Sequence, residues 1–141
     1  MTLVVQPVLL PAAIQRSLPA LPTVAAGPIE AGGLPLAVNL TVYQGDDFFL
    51  DLSVTDSGGN PVNMTGWVPS AQVRGAPGSA VVATFTCSVD QTNTNVVHLW
   101  LPHLQSMNLA RRGVWDCQVD DAGVITTLVA GSVSAVMEVT T

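Results

Sequence analysis

Between Phe48 and Thr55 the chain alternates. Phe48, Leu50, Leu52 and Val54 fall on one side, and Phe49, Asp51, Ser53 and Thr55 on the other. A period of two predicts a strand with one buried face. The run halts at Asp56-Ser57-Gly58-Gly59-Asn60-Pro61, where glycine, proline and short polar side chains favour a turn. Gln44-Gly45-Asp46 bends the chain into the strand. Weaker forms of the same rhythm predict strands over Leu36–Tyr43, Trp67–Arg74, Ala80–Val89, Val96–Leu101, Val114–Asp120, Val124–Ala130 and Ser132–Thr140, with Gly131 dividing the last two. The inward sets are Trp67, Ala71 and Val73; Val81, Ala83, Phe85, Cys87 and Val89; Val97, Leu99 and Leu101; and Trp115, Cys117 and Val119. Pro69 marks an edge position or an irregular start. Gly75–Gly78, Asp90–Asn95 and Asp120–Gly123 are turns or loops. Pro102–Ala110 breaks the rhythm and reads as a short helix or crossover ended by Arg111-Arg112-Gly113. Seven or eight short strands at this spacing predict an all-β protein, an immunoglobulin-like antiparallel β-sandwich over residues 36–141.

Residues 1–35 read differently. They hold six of the ten prolines, with Leu, Val, Ala and Ile between them. Proline at this density opposes both helix and central strand, so an extended Pro-rich arm is expected. A short helical turn near Ala12–Leu18 is a weak addition. Solvated linkers are polar, whereas this segment is apolar. It is therefore expected to lie along partner subunits, through Val5, Val8, Leu9, Leu10, Ile14, Leu18, Leu21 and Val24.

Composition sharpens this picture. Of the 141 residues 48% are hydrophobic and only 10% charged, and lysine is absent. A chain so poor in charge is expected to bury much of its surface on neighbours, as a homo-oligomer or in many copies. The net charge of −6 argues against nucleic-acid binding, which needs a basic face. Prolines interrupt each apolar run before it reaches the ~18 residues of a membrane span. The N-terminus makes a poor signal peptide, because it lacks a basic start and Pro7 and Pro11 break its apolar stretch. Cys87 and Cys117 admit a cross-sheet disulfide or two free thiols; the thiols are favoured, since nothing marks an oxidising compartment.

Two sets of motifs carry a family resemblance. The first is Tyr43-Gln44-Gly45-Asp46, the Asp56–Trp67 turn region and Ala71-Gln72-Val73-Arg74. The second is Gly113-Val114-Trp115-Asp116-Cys117-Gln118-Val119, Thr127–Val133 and Glu138-Val139-Thr140. Together they resemble a β-sandwich family of tailed-bacteriophage structural proteins, similar to the N-terminal domain of phage upper-baseplate proteins. The resemblance covers about residues 36–141. It implies a virion structural protein, assembled in the bacterial host cytoplasm, in the tail, baseplate or neck. Its partners would be other virion proteins. It also makes Asp116 a structural signature residue. The strand after Gly113 is shorter than the family's, and no fibre domain follows Thr141, which points to a small stand-alone component. Capsid-surface decoration is the alternative, and a carbohydrate-binding adhesive module a second one.

No enzyme, cofactor or metal is expected. His98 and His103 read as surface histidines rather than a metal pair. Asp46, Asp47 and Asp51 read as a solvated bend rather than a calcium site. Ser57 and Ser106 lack a recognisable histidine and carboxylate arrangement. Asn39-Leu40-Thr41 and Asn63-Met64-Thr65 match the glycosylation pattern without a secretion signal to use it. Trp100 falls outward, as an interface anchor or as a ring covered by the arm or the crossover.

Overall fold

A computed structural model of the chain describes residues 2–6, 24–28, 35–56 and 58–137. Eleven strands and one short helix are present among them. In chain order they are β1 (Thr2–Gln6), β2 (Val24–Pro28), β3 (Leu36–Ala37), β4 (Leu40–Tyr43), β5 (Phe48–Thr55), β6 (Val68–Arg74), β7 (Val81–Thr84), β8 (Thr86–Val89), β9 (Val96–Leu101), α1 (His103–Ser106), β10 (Arg112–Asp121) and β11 (Val124–Val136). One sheet runs β2-β1-β5-β9-β8; the other runs β3-β11-β10-β6-β7, with β4 also on β11. The two sheets enclose one core, so the chain is an immunoglobulin-like β-sandwich.

The core follows the alternation. Leu50, Leu52 and Val54 of β5 meet Val97, Leu99 and Leu101 of β9 and Trp115, Cys117 and Val119 of β10, all buried. Met64 and Leu128 complete it at full burial. Phe85 packs against Trp115 with ring centroids 5.7 Å apart. The predicted bounds of β5 and β9 match those observed.

Four expectations need correction. First, Ala80–Val89 is two strands. β7 pairs with β6 in one sheet and β8 with β9 in the other, and the chain changes sheets at buried Phe85. Val81, expected inward, is 41% exposed as a result. Second, β11 passes through Gly131 without a break. Glycine within a strand here marks a close backbone approach, not an end. A Cβ on Gly131 would collide with the carbonyl oxygen of Val38 and lie 2.7 Å from its carbonyl carbon. Third, and for the same reason, Leu36–Tyr43 is divided at Val38-Asn39, where the chain crosses over Gly131. Its halves run parallel to β11, not antiparallel. The Trp115 indole donates to the Val38 carbonyl at 2.8 Å, and Asn39 Oδ1 accepts from Ser132 N at 3.1 Å. Fourth, Arg112 and Gly113 belong to β10 rather than to the helix end, and Leu104 is exposed while Ser106 is buried.

The N-terminal segment is described at two stretches. β1 lies antiparallel on β5, with Thr2 opposite Thr55 and Gln6 opposite Asp51, and β2 pairs with β1. At these two stretches the chain lies on its own sheet. The reason is local: Thr2–Gln6 is free of proline, contains β-branched Val4 and Val5, and meets a strand whose other edge is already paired to β9. Val5 and Val24 stand opposite each other in the β1–β2 ladder. Val8, Leu9, Leu10, Ile14, Leu18 and Leu21, and the turn near Ala12–Leu18, fall outside the described residues.

Candidate functional site

Outward-facing residues of β5 and β9 gather the polar chemistry. The register sets Phe49 opposite Trp100 and Asp51 opposite His98. Directly opposed residues share a face, so each pair meets outside the core. The rings of Phe49 and Trp100 lie nearly parallel, 3° apart, with centroids separated by 6.0 Å. Trp100 is 40% exposed, and its indole donates to Asp47 Oδ1 at 3.1 Å. The same oxygen accepts the His103 backbone N–H at 2.9 Å, just beyond β9. Burial alone would raise the Asp47 pKa, but the His103 and Trp100 donors more than offset it and hold it below the ordinary carboxylate value. The result is an exposed aromatic plane fixed in one orientation.

His98 is held at both ring nitrogens. Nδ1 lies 2.6 Å from Asp51 Oδ1 and Nε2 lies 2.8 Å from Asp90 Oδ2. Asp90 follows β8, and its other oxygen accepts the backbone N–H groups of Thr92 and Asn93 at 2.8 and 2.7 Å. Partial burial works against charge on His98, but the hydrogen bonds and charges of Asp51 and Asp90 win and raise its pKa. The His98 contact and the two backbone donors push Asp90 down to about 2. Burial raises Asp51 despite the same imidazole. An imidazolium donates from both nitrogens, which is the state two carboxylates favour. Neither nitrogen is free to take a proton from a substrate, so the trio acts as a tie between β5, β9 and the loop after β8.

Ser106 is equally committed. Its hydroxyl donates to the Asp46 carbonyl at 2.7 Å and accepts the Gly45 N–H at 3.0 Å, pinning α1 to the bend before β5. Gln44 reaches the carbonyls of Met107 and Leu109, both at 3.2 Å. Ser57 lies outside the described residues. Of the three aspartates weighed for calcium, Asp47 and Asp51 face different partners. No group of three or more His, Cys, Asp or Glu side chains suited to a metal occurs among the described residues. Cys117 is buried, Cys87 is half-buried, and both are free thiols.

Two of the concavities among the described residues bear on the site. One, of about 300 Å³, opens between the start of β6 and the end of β8, lined by Trp67, Val68, Ser88, Val89, Asp90 and Thr94 among others. A second, of about 400 Å³, lies outside β6, β10 and β11, around Gln72, Arg74, Asp116 and Ala130. Sequence reasoning placed Trp67 and Val89 in the core and missed that the first groove forms beside them. It also missed the Asp51–His98–Asp90 trio. The available signal was that Asp51 and His98 both fell on outward positions of confidently periodic strands; their register was the missing fact.

An immunoglobulin-like sandwich with an edge-bound N-terminal strand is thus the class the architecture defines. Neither protein-family models nor curated protein sequences match the chain.

Proposed function

We propose that this protein is a non-enzymatic structural subunit of a tailed-bacteriophage particle, a tail, baseplate or neck component tied to neighbouring subunits by its N-terminal segment. The observation that supports it most is how β1 is held. It joins β5 by backbone pairing along its whole length, from Thr2 opposite Thr55 to Gln6 opposite Asp51. Strand addition to a sheet edge is a general mode of subunit recognition. Every copy of the chain carries the same β5 edge, so a segment that can sit on its own sheet can sit on a neighbour's. The scarcity of charge, at 10% of residues, agrees with surfaces meant to be covered. The fixed plane of Trp100 offers an anchor on the same sheet.

Mass spectrometry of purified particles is expected to find the full chain as a stoichiometric component. A chain lacking residues 1–35, supplied in trans, is expected to fold yet stay out of particles. Normal incorporation of the truncated chain refutes the reading. A high copy number per particle would move the location to the capsid surface, as a decoration protein; a low one keeps it at the tail.

A further inference from the structure

We propose that the groove between the start of β6 and the end of β8 binds one neutral saccharide ring. Its volume, about 300 Å³, lies at the lower end of small-molecule pockets. Its aromatic wall is Trp67, half-buried and packed against the core. The Trp67 backbone N–H is fixed to the Met64 carbonyl at 3.0 Å. The Trp67 indole N–H makes no hydrogen bond among the described residues. No buried side-chain donor is left unpaired there, so this one opens to solvent. Ser88 and Thr94 line the same groove, and neither hydroxyl makes a hydrogen bond among the described residues. An indole face with Val68 and Val89 suits the C–H faces of a sugar, and the free donor and hydroxyls suit its oxygens.

Charge selects among polar ligands. Asp90 is the one ionisable group lining the groove, and it is saturated. One oxygen takes two backbone N–H groups and the other takes His98. A cation gains little from a carboxylate so engaged, and an anion is repelled by it. A neutral polyol meets neither obstacle. This inference does not depend on the virion reading; a chain that enters particles normally still lacks the site if no sugar binds.

The test uses the full chain. Glucose, galactose, mannose and N-acetylglucosamine are titrated by tryptophan fluorescence and saturation-transfer NMR, with glucuronate and choline as charged controls. Saturable binding of at least one neutral sugar, and weaker binding of both controls, is expected. Ser88→Ala, Thr94→Val and Trp67→Phe should each weaken it about three- to tenfold, the worth of one hydrogen bond. Thermal unfolding checks that each variant is folded, and the two hydroxyl variants sit outside the core. No saturable binding by the folded chain overturns it. So does binding that all three variants leave unchanged, or a preference for choline or glucuronate.

Discussion

Replacing Gly131 by alanine should destabilise this fold more than almost any other single-methyl addition. Gly131 stands opposite Trp115 in the β10–β11 ladder. The missing side chain lets the Val38 backbone pass directly above β11. There Val38 N–H donates to the Ala130 carbonyl at 3.1 Å, and the Val38 carbonyl accepts the buried Trp115 indole at 2.8 Å. An added Cβ would overlap the Val38 carbonyl and also press on Asn39 Oδ1 at 3.0 Å. The nearest obstacle is the Val38 backbone, so a rotamer change cannot relieve it. Overpacking of this kind costs about 1–3 kcal/mol. Pushing Val38 away leaves the Trp115 N–H, in a residue only 3% exposed, without its partner, which costs about another 1–3 kcal/mol. The sum, about 2–6 kcal/mol, is a large part of a typical domain's 5–15 kcal/mol or so. It corresponds to a melting temperature lower by on the order of 10 °C. Urea unfolding followed by tryptophan fluorescence measures it directly. Trp115→Phe supplies the internal check: it keeps a ring against Phe85 but removes the donor. Made in the Gly131→Ala background, it should cost clearly less than in the native chain, because the bond is already broken. A loss below about 0.5 kcal/mol for Gly131→Ala, the range of surface changes, would refute the reasoning. So would full additivity of the pair.

Stability should also depend on pH through the Asp51–His98–Asp90 trio. The raised His98 value contributes stability that is complete below about pH 6.5 and is lost as pH rises through the folded value. The depressed Asp90 value contributes stability present above 3.8 and lost as pH falls towards 2. Asp51, raised by burial, adds to the preference for the acid side. The melting temperature should therefore be higher at pH 5 than at pH 8, and His98→Gln should remove most of that difference; an unchanged difference would count against the tie. Leu52→Ala, at a fully buried position of β5, should cost about 2–5 kcal/mol in the same urea assay. At the β10–β11 turn, Ala122 has φ 50 beside Gly123 with φ 93, a pair of positive angles that Asn-Gly adopts with least strain. Ala122→Asn should raise stability by up to about 1 kcal/mol, and a loss would show that the turn is not held in this form. Burial pushes the Cys87 thiol up to about 11 and raises Cys117 further. Both should resist alkylation in the native chain and react on unfolding; fast native labelling of Cys117 would contradict its place in the core.

The alternation along the chain carried the fold a long way. Leu50, Leu52 and Val54, Val97, Leu99 and Leu101, and Trp115, Cys117 and Val119 were assigned inward from period alone, and all are buried. That succeeds because which face a side chain takes is a property of one strand and its own neighbours. Pairing is not local. Nothing near Ser88 says that the chain changes sheets at Phe85, and nothing near Gly131 says that Val38 must cross it. Asp51 and His98 were each read as outward, but their meeting depends on the register of strands more than forty residues apart, as does the concavity beside Trp67. The N-terminal segment shows the same division. Its prolines and apolar residues marked it as unable to form a core by itself, which is a matter of composition. Where Thr2–Gln6 comes to rest was decided by an open backbone edge on β5, and such an edge exists only once the sheet has formed.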